Sequence, residues 1–277
     1  MKISRHEQIQ CFWNQESDVY KDAQWAGSNI ARFDYIQTKK ALLRSLNPTR
    51  NDRILEIGCG PGTWTGLIAS KCSQLVAIDV SEKMIKKAKE YVHNDNVTFI
   101  NSDFMDHDFR EKFDKIFSVR VFEYISNKKE FFRKACYLLD PGGELVIITK
   151  TRDSLWDFYK RLKKSLRFYD RNDFDEVRLY SWYQNIPTDL VKALLERNKF
   201  LVMNISPVII RLPIFMGGND EIPLVPEKLE NITLRIFGIL SENLSKMPTY
   251  VPFFLSESYM IHAIKNSVTK IKVDDRR

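Results

Sequence analysis

The chain has 277 residues, of which 44% are hydrophobic and 29% are charged. This balance is typical of a folded globular protein, excludes a disordered chain, and provides enough length for a sizeable core. The formal net charge of +7 favours anionic partners such as phosphates, nucleic acid or anionic lipid, but it carries no information about the fold.

The first fifty residues read as helices rich in aromatic side chains, and from Arg53 short apolar runs alternate with amphipathic helices. The runs are apolar on both faces, as buried parallel strands are. Five strands are predicted: RILEI (53–57), QLVAID (74–79), VTFIN (97–101), FDKIFSV (113–119) and GELVIIT (143–149). Ser81 and Ser126 are predicted to cap the second and third intervening helices, and Asp140–Gly143 is predicted to form a turn.

The second half of the chain is less regular. A basic amphipathic helix is predicted from Asp153 to about Phe168, and it could pack on the core, lie on an anionic membrane or bind phosphate. The helix IPTDLVKALLERNKF, the strand LVMNISPVII and a last strand SESYMIHAIKN follow. Between those two strands lies a long apolar interruption, Leu212 to Leu255, with a helix predicted near Leu229–Leu244. We expect it to form a lid over an acceptor pocket.

The sequence gives no indication of secretion, membrane insertion or a structural metal. No run of about 18 apolar residues is present, and the segment MKISRHEQIQ lacks the apolar region of a signal peptide. The four cysteines form no CxxC pair and have no histidine at ligand spacing. We therefore expect a cytoplasmic protein without a metal site.

The glycine cluster G-C-G-P-G at 58–62 separates the first strand from a helix. It is either a tight turn or a place where a ligand approaches the backbone closely. Asp79 ends the second strand, where an acid can bind the hydroxyls of a ribose. Asp103 and Phe104 follow the third strand and could contact an adenine. These features together favour a nucleoside ligand.

The loop does not fit a ligand held by its phosphates. The dinucleotide fingerprint is G-x-G-x-x-G, and here the third glycine comes one residue early. Pro61 also removes an N–H donor from the start of the helix. The Gly-Lys-Ser/Thr of a P-loop is absent. The sequence therefore predicts a nucleoside without phosphate.

Five successive segments resemble the motifs of class I S-adenosylmethionine-dependent methyltransferases: LEIGCGPGTWT, VAIDVSEKMIKKAKE, VTFINSDFMD, FDKIFSVRVFEYI and LLDPGGELVIIT. The resemblance covers roughly residues 50–150. It implies an α/β, doubly wound (Rossmann-like), mostly parallel sheet of seven strands with an antiparallel last strand. Our predicted division is a helical N-terminal cap (1–50), a methyltransferase core (51–211 and 256–267) and the lid insertion (212–255).

The resemblance also implies a site for S-adenosylmethionine at the ends of the first and fourth strands. Glu56 would help hold the amino group of the methionine portion. Three glycines would pass beneath the cofactor: Gly58, Gly60 and Gly62. Ser118 and Arg120 would lie near the methionine portion.

The nucleoside end of the cofactor is expected at the second and third strands. The resemblance implies that Asp79 takes the ribose hydroxyls and that Val80 or Met84 packs on the adenine. Asp103 and Phe104 would bind the adenine edge.

Methyl transfer from a sulfonium is an in-line displacement that depends mainly on positioning, so no catalytic residue is strictly required. In V-F-E-Y (121–124), Tyr124 stands where many relatives have a histidine, which puts a histidine-based deprotonation in doubt. Glu123 is either a base or only a helix-start residue. Tyr20, in DVYKDA, resembles a tyrosine that reaches over the methyl group in many relatives, or it serves packing.

These features predict a transferase that methylates a small-molecule, glycan or lipid-like acceptor, with peripheral membrane contact left open. One alternative is an RNA or protein methyltransferase that uses the +7 charge. Another is a cofactor-binding partner subunit without turnover of its own. The sequence does not determine the oligomeric state.

Overall fold

The structure, a computed structural model, describes residues 4–150, 155, 187–210, 227–244 and 256–267. Seven strands form one sheet in the order β3-β2-β1-β4-β5-β7-β6. Their bounds are β1 Arg53–Ile57, β2 Gln74–Asp79, β3 Val97–Asn101, β4 Phe113–Val119, β5 Leu139–Lys150, β6 Phe200–Ile210 and β7 Ser256–Lys265. Pairing is parallel from β3 to β5, whereas β7 runs antiparallel to β5 and β6. The predicted doubly wound sheet with an antiparallel last strand is confirmed.

The described helices lie on both faces of this sheet. They are α1 Arg5–Glu16, α2 Asn29–Leu46, α3 Thr63–Ala69, α4 Glu82–Tyr91, α5 Lys128–Leu138, α6 Thr188–Arg197 and α7 Glu227–Leu244. A π-helical turn spans Asp22–Ala26 and a 3-10 turn spans Phe122–Tyr124. Apart from Leu155, the predicted basic helix lies outside the described residues, as do the parts of the predicted lid on either side of α7.

Each face of the sheet has its own apolar core, because the parallel strands are apolar on both sides. On one face, Leu55 and Ile57 of β1 pack with Phe131 of α5 and Val191 of α6. On the other face, strand residues pack with side chains of three helices: Leu42 of α2, Trp64 of α3 and Phe237 of α7. Helix α2 therefore packs directly on the sheet. The division into cap, core and lid remains a prediction.

Two local predictions were wrong. Asn127, not Ser126, caps α5, because its side-chain oxygen accepts the N–H of Glu130 at 3.1 Å. The predicted turn at 140–143 is instead a bulged part of β5, since Leu139 pairs with Phe113 and Glu144 pairs with Lys115. Ser81 does cap α4, with its hydroxyl accepting the N–H of Met84 at 3.2 Å.

Gly62 is required by the packing of α3 on α4. It is the N-cap residue of α3 and has a φ of +83°, in the left-handed region that favours glycine. A Cβ at this position would lie 3.1 Å from Cγ2 of Val92 and 3.2 Å from Cα of Ala88. Both helices would have to move apart to accept a side chain.

We expect Gly62→Ala to destabilise the fold more than Gly142→Ala. Gly142 has a similar φ of +79°, but a Cβ there would meet nothing within 4 Å. Both variants lose about 1–2 kcal/mol to the left-handed backbone. Gly62→Ala should lose about 1–3 kcal/mol more through overpacking. Urea denaturation measures the difference, and equal losses would contradict the packing role of Gly62.

Candidate functional site

A pocket opens where the carboxyl ends of β1, β2 and β4 meet the loop after β3. Ligands of doubly wound sheets bind at this edge, where the strand order reverses. The cavity measures about 810 Å³ with its open mouth included. Nine predicted site residues line it: Tyr20, Gly58, Gly60, Asp79, Val80, Met84, Asp103, Phe104 and Arg120.

The Asp79 carboxylate organises the floor of this pocket. One oxygen accepts the backbone N–H of Gly60 at 2.8 Å and the other accepts that of Ser81 at 2.8 Å. Burial raises the pKa of Asp79 to about 6, although these hydrogen bonds oppose the shift. Each carboxylate oxygen keeps a further lone pair, so Asp79 can also accept hydroxyl groups of a ligand.

The glycine loop passes close to the segment after β4. Gly58 has a φ of +74°, and a Cβ there would lie 2.0 Å from Cγ2 of Val121. No side chain fits at that distance. The N–H of Gly60 is donated to Asp79, so it is not directed at a phosphate. This agrees with the prediction of a ligand without phosphate.

Glu56 lies buried beside the pocket without lining it. Its side chain is 1% exposed, and its Oε2 accepts the hydroxyl of Thr65 at 2.6 Å. Within the described part of the chain, Oε1 has no hydrogen-bond partner. Burial, with a smaller contribution from the nearby Asp79 charge, raises the pKa of Glu56 to about 8.

Three further predicted residues do not line the pocket. Gly62 instead lies between α3 and α4. Ser118 is fully buried in β4, and its hydroxyl has no hydrogen-bond partner among the described residues. Glu123 is 1% exposed, and its carboxylate accepts the hydroxyl of Thr149 at 2.7 Å. These positions give no support to Glu123 as a base.

The opposite wall of the pocket comes from α1 and the turn after β4, and sequence reasoning missed most of it. Trp13 meets the rings of Tyr20 and Tyr124 edge to face, each with centroids 5.4 Å apart. All three rings line the pocket, together with Ile9. The signal in the sequence was the group Ile9, Phe12 and Trp13 in an otherwise largely polar helix.

Helix α1 is held over the pocket by two amides. The Gln10 side chain donates to the carbonyl of Val80 at 3.0 Å. The Asn14 side-chain oxygen accepts the hydroxyl of Ser81 at 2.7 Å and the N–H of Lys83 at 3.3 Å. These bonds attach α1 to the segment that follows Asp79.

At the β3 side of the pocket, Asp103 and Phe104 lie together. The Asp103 carboxylate accepts the N–H of Met105 at 2.7 Å. Phe104 is 4% exposed, and its ring centroid lies 5.3 Å from that of Phe131. Both residues line the pocket, as an adenine site would require.

Arg120 follows β4 in a conformation that is unusual for a side chain. Its φ is +65°, and its N–H donates to the carbonyl of Ile148 at 2.8 Å. Its guanidinium lies 3.8 Å from the Glu257 carboxylate, which is also paired with Lys150. Arg120 therefore brings a buried positive charge to the pocket wall.

These residues fit S-adenosylmethionine, the cofactor that the sequence resemblance implies. Asp79 can accept ribose hydroxyls, and Asp103 adds a second acidic side chain to the lining. Gly60 lines the pocket without a side chain, whereas the missing Cβ of Gly58 makes room for Val121. In the described residues, no cluster of three or more histidine, cysteine or acidic side chains could hold a metal ion.

Comparison with known proteins agrees with this geometry. Residues 54–143 match the family described as "Methyltransferase domain". Malonyl-[acyl-carrier protein] O-methyltransferase 2 of Ilyobacter polytropus is 35% identical over 113 residues, which cover 40% of this chain and 44% of that protein. The chain thus spans less than half the length of this relative. Ribosomal RNA small subunit methyltransferase A of Mycoplasma mobile is 26% identical over 177 residues, covering 55% of this chain and 68% of that protein.

Solved structures share the fold at low sequence identity. Magnesium protoporphyrin IX methyltransferase from Synechocystis PCC 6803 with bound SAH has a TM-score of 0.63 and 12% identity, covering 95% of this chain and 100% of that one. Among the described helices, none is both long and apolar enough to cross a membrane. By fold and by sequence, residues 54–143 are a methyltransferase domain of the class I S-adenosylmethionine-dependent family.

Proposed function

We propose that this protein transfers a methyl group from S-adenosylmethionine to a small-molecule, glycan or lipid-like acceptor. The observation that carries the proposal is a single pocket lined by Asp79 and Asp103 on one side and by three aromatic rings on the other. The acids suit a cationic nucleoside. The aromatic rings suit an apolar acceptor held next to the methyl group of that nucleoside.

When bound, the cofactor supplies a methyl group activated by a positively charged sulfur. In the proposal, Asp79 accepts the ribose hydroxyls while Asp103 and Phe104 hold the adenine. Trp13 and Tyr20 exclude water from the reacting atoms, which favours a displacement on carbon. Gly62 and Ser118 then act through packing rather than through contact with the cofactor.

The acceptor assignment is supported by the apolar character of the wall. Ile9, Val121 and Ile125 line it beside the aromatic rings. A relative named for malonyl-acyl carrier protein and a structure named for magnesium protoporphyrin IX agree with an acceptor of this general kind. The predicted lid over the acceptor stays a proposal. Its described part, helix α7, contacts α2 and β6 and does not line the pocket.

A second candidate is RNA methylation. The similarity to a ribosomal RNA methyltransferase and the net charge of +7 favour it. Binding to RNA would be steeply weakened by salt, because it releases counterions. The two candidates therefore differ in how strongly salt weakens binding of the acceptor.

The proposal is tested with S-adenosylmethionine that carries a labelled methyl group. The purified protein is incubated with a cell extract separated into small-molecule, lipid and RNA fractions. We expect label in the small-molecule or lipid fraction. Label confined to RNA, with transfer suppressed by salt, would favour the second candidate instead.

Asp79→Asn should weaken binding of S-adenosylhomocysteine by about 10–100-fold, since a charged acceptor of hydrogen bonds is lost. In the wild type the affinity should fall by up to about tenfold per pH unit below pH 6, because protonation removes the carboxylate. Calorimetry measures both effects. Asp95→Asn, at an exposed loop position, is the control. Equal affinities for Asp79→Asn and wild type would contradict the site.

Glu56→Gln should change how stability depends on pH. The folded pKa of about 8 lies above the ordinary 4.5, so the folded state binds the proton more tightly. Wild-type stability should therefore fall, relative to the variant, by about 3 kcal/mol as pH rises from 5 to 8.

Gln can still accept the Thr65 hydroxyl, so the comparison isolates the charge. Urea denaturation of the ligand-free protein at several pH values measures the difference. Glu90→Gln, on the exposed side of α4, should show no such trend. A difference between Glu56→Gln and wild type that stays constant with pH would refute the raised pKa.

A further inference from the structure

We propose that helices α2 and α7 form a docking surface for an anionic lipid membrane. The surface consists of an exposed apolar stripe on α7 and a basic row beside it on α2. Neither helix lines the pocket, so the inference goes beyond the proposed function and does not depend on which acceptor is methylated.

Helix α7 has two apolar sides, and the rest of the fold covers one of them. Leu234 and Phe237 are buried in the core on that face of the sheet. A second set of apolar side chains is between 40% and 61% exposed and forms the apolar stripe: Leu229, Ile232, Ile236, Ile239 and Leu240. At about 100° per residue, these positions lie on the side of the helix away from the buried one. Single exposed apolar residues are normal, whereas a contiguous group marks contact with a partner.

Helix α2 lies directly beside α7 and is basic on its exposed side. A Cβ on Gly238 would lie 3.5 Å from Nε2 of Gln37, which shows how closely the two helices pack. The exposed residues of α2 recur at every fourth position and form the basic row: Arg32, Ile36, Lys40 and Arg44. Arg235 adds a further exposed positive charge on α7. Glu242, the acidic side chain among the exposed residues described on these two helices, is paired with Lys40 at 2.5 Å.

The charge around the stripe identifies the partner. Anionic lipids attract lysine and arginine at the membrane surface, and the region below the headgroups accepts aliphatic side chains. The long apolar stems of these basic residues let their charges stay at the headgroups while the stripe is buried. Nucleic acid would be attracted by the basic row alone and would leave the stripe in water. The cores of protein interfaces are enriched in aromatic side chains and methionine, which the stripe lacks.

Helix α7 is attached to the same edge of the sheet as the pocket. Strand β6 runs parallel to β5, because both are antiparallel to β7. Its last residue, Ile210, therefore lies at the carboxyl edge. The hydroxyl of Ser241 accepts the N–H of Ile210 at 3.4 Å and donates to its carbonyl at 3.3 Å. The docking surface and the pocket thus share one edge of the sheet.

Membrane docking is tested by flotation of the full chain with lipid vesicles. One set contains phosphatidylglycerol and phosphatidylcholine in equal amounts, and the other contains phosphatidylcholine alone. We expect the partition coefficient on the anionic vesicles to be at least about tenfold higher, since several basic residues approach the headgroups. Added salt should lower it by screening these charges.

The stripe and the basic residues are tested separately. Ile232→Gln combined with Ile236→Gln should lower the partition coefficient by about 10–100-fold, because two aliphatic side chains no longer enter the membrane. Arg235→Gln should lower it by about fivefold. The matched controls are Leu190→Gln and Arg197→Gln, at exposed positions of α6 on the opposite face of the sheet. Both should bind within about twofold of wild type.

Failure of the wild type to bind anionic vesicles would overturn the inference. So would equally tight binding by the double isoleucine variant, since the net charge of +7 alone would then account for adsorption.

Two further measurements exclude other occupants of the stripe. A melting temperature lowered by more than about 5 °C in the double isoleucine variant would mean that the chain itself covers these side chains. A wild-type dimer that dissociates in the same variant, measured by sedimentation velocity, would mean that a second copy covers them. Either result would overturn the inference. We expect a monomeric signal that the variant leaves unchanged and a melting temperature within about 3 °C of wild type, because the substituted side chains are exposed.

Discussion

The site depends on one carboxylate. Asp79, at the end of β2, bonds to the backbone of Gly60 after β1 and to that of Ser81 before α4. It thereby fixes the spacing of two neighbouring strand ends at the edge where ligands bind. Burial at this position raises the pKa of Asp79, and the two backbone hydrogen bonds oppose part of that shift.

The remaining walls are built outward from that segment. Gln10 and Asn14 attach α1 to Val80 and Ser81, directly after Asp79. The attached helix brings Trp13 against Tyr124. The pocket is thus enclosed by short polar contacts to a rigid strand end, and its aromatic wall follows from them.

Much of the fold could be predicted because its signals are local. Strands β1 to β4 match the predicted apolar runs residue for residue, since buried parallel strands are continuous hydrophobic segments bounded by turns. Asp79 could be predicted as a ribose ligand from its place at the end of a strand, whereas its hydrogen bond to Gly60 was not predicted. The bulge in β5 was missed because residues 140–143 have the composition of a turn, and only the pairing of Leu139 and Glu144 with β4 on either side places them within a strand.

The site was harder to predict because its contacts are long-range. Glu123 occupies the position of a base in sequence, yet it bonds to Thr149 and does not line the pocket. Gly62 belongs to the glycine motif but is required by Val92, a neighbour thirty positions away. Nothing in the local sequence of α1 indicated that Gln10 and Asn14 would bond to the segment after the second strand.

The attachment of α1 has a consequence for how the molecule is built. Neither large apolar core contains a residue of α1, so the packing of the two cores on the sheet does not include that helix. The docking of α1 over the pocket and the packing of the two apolar cores therefore depend on different contacts. We expect substitutions in α1 to change how fast a ligand exchanges more than they change the free energy of unfolding.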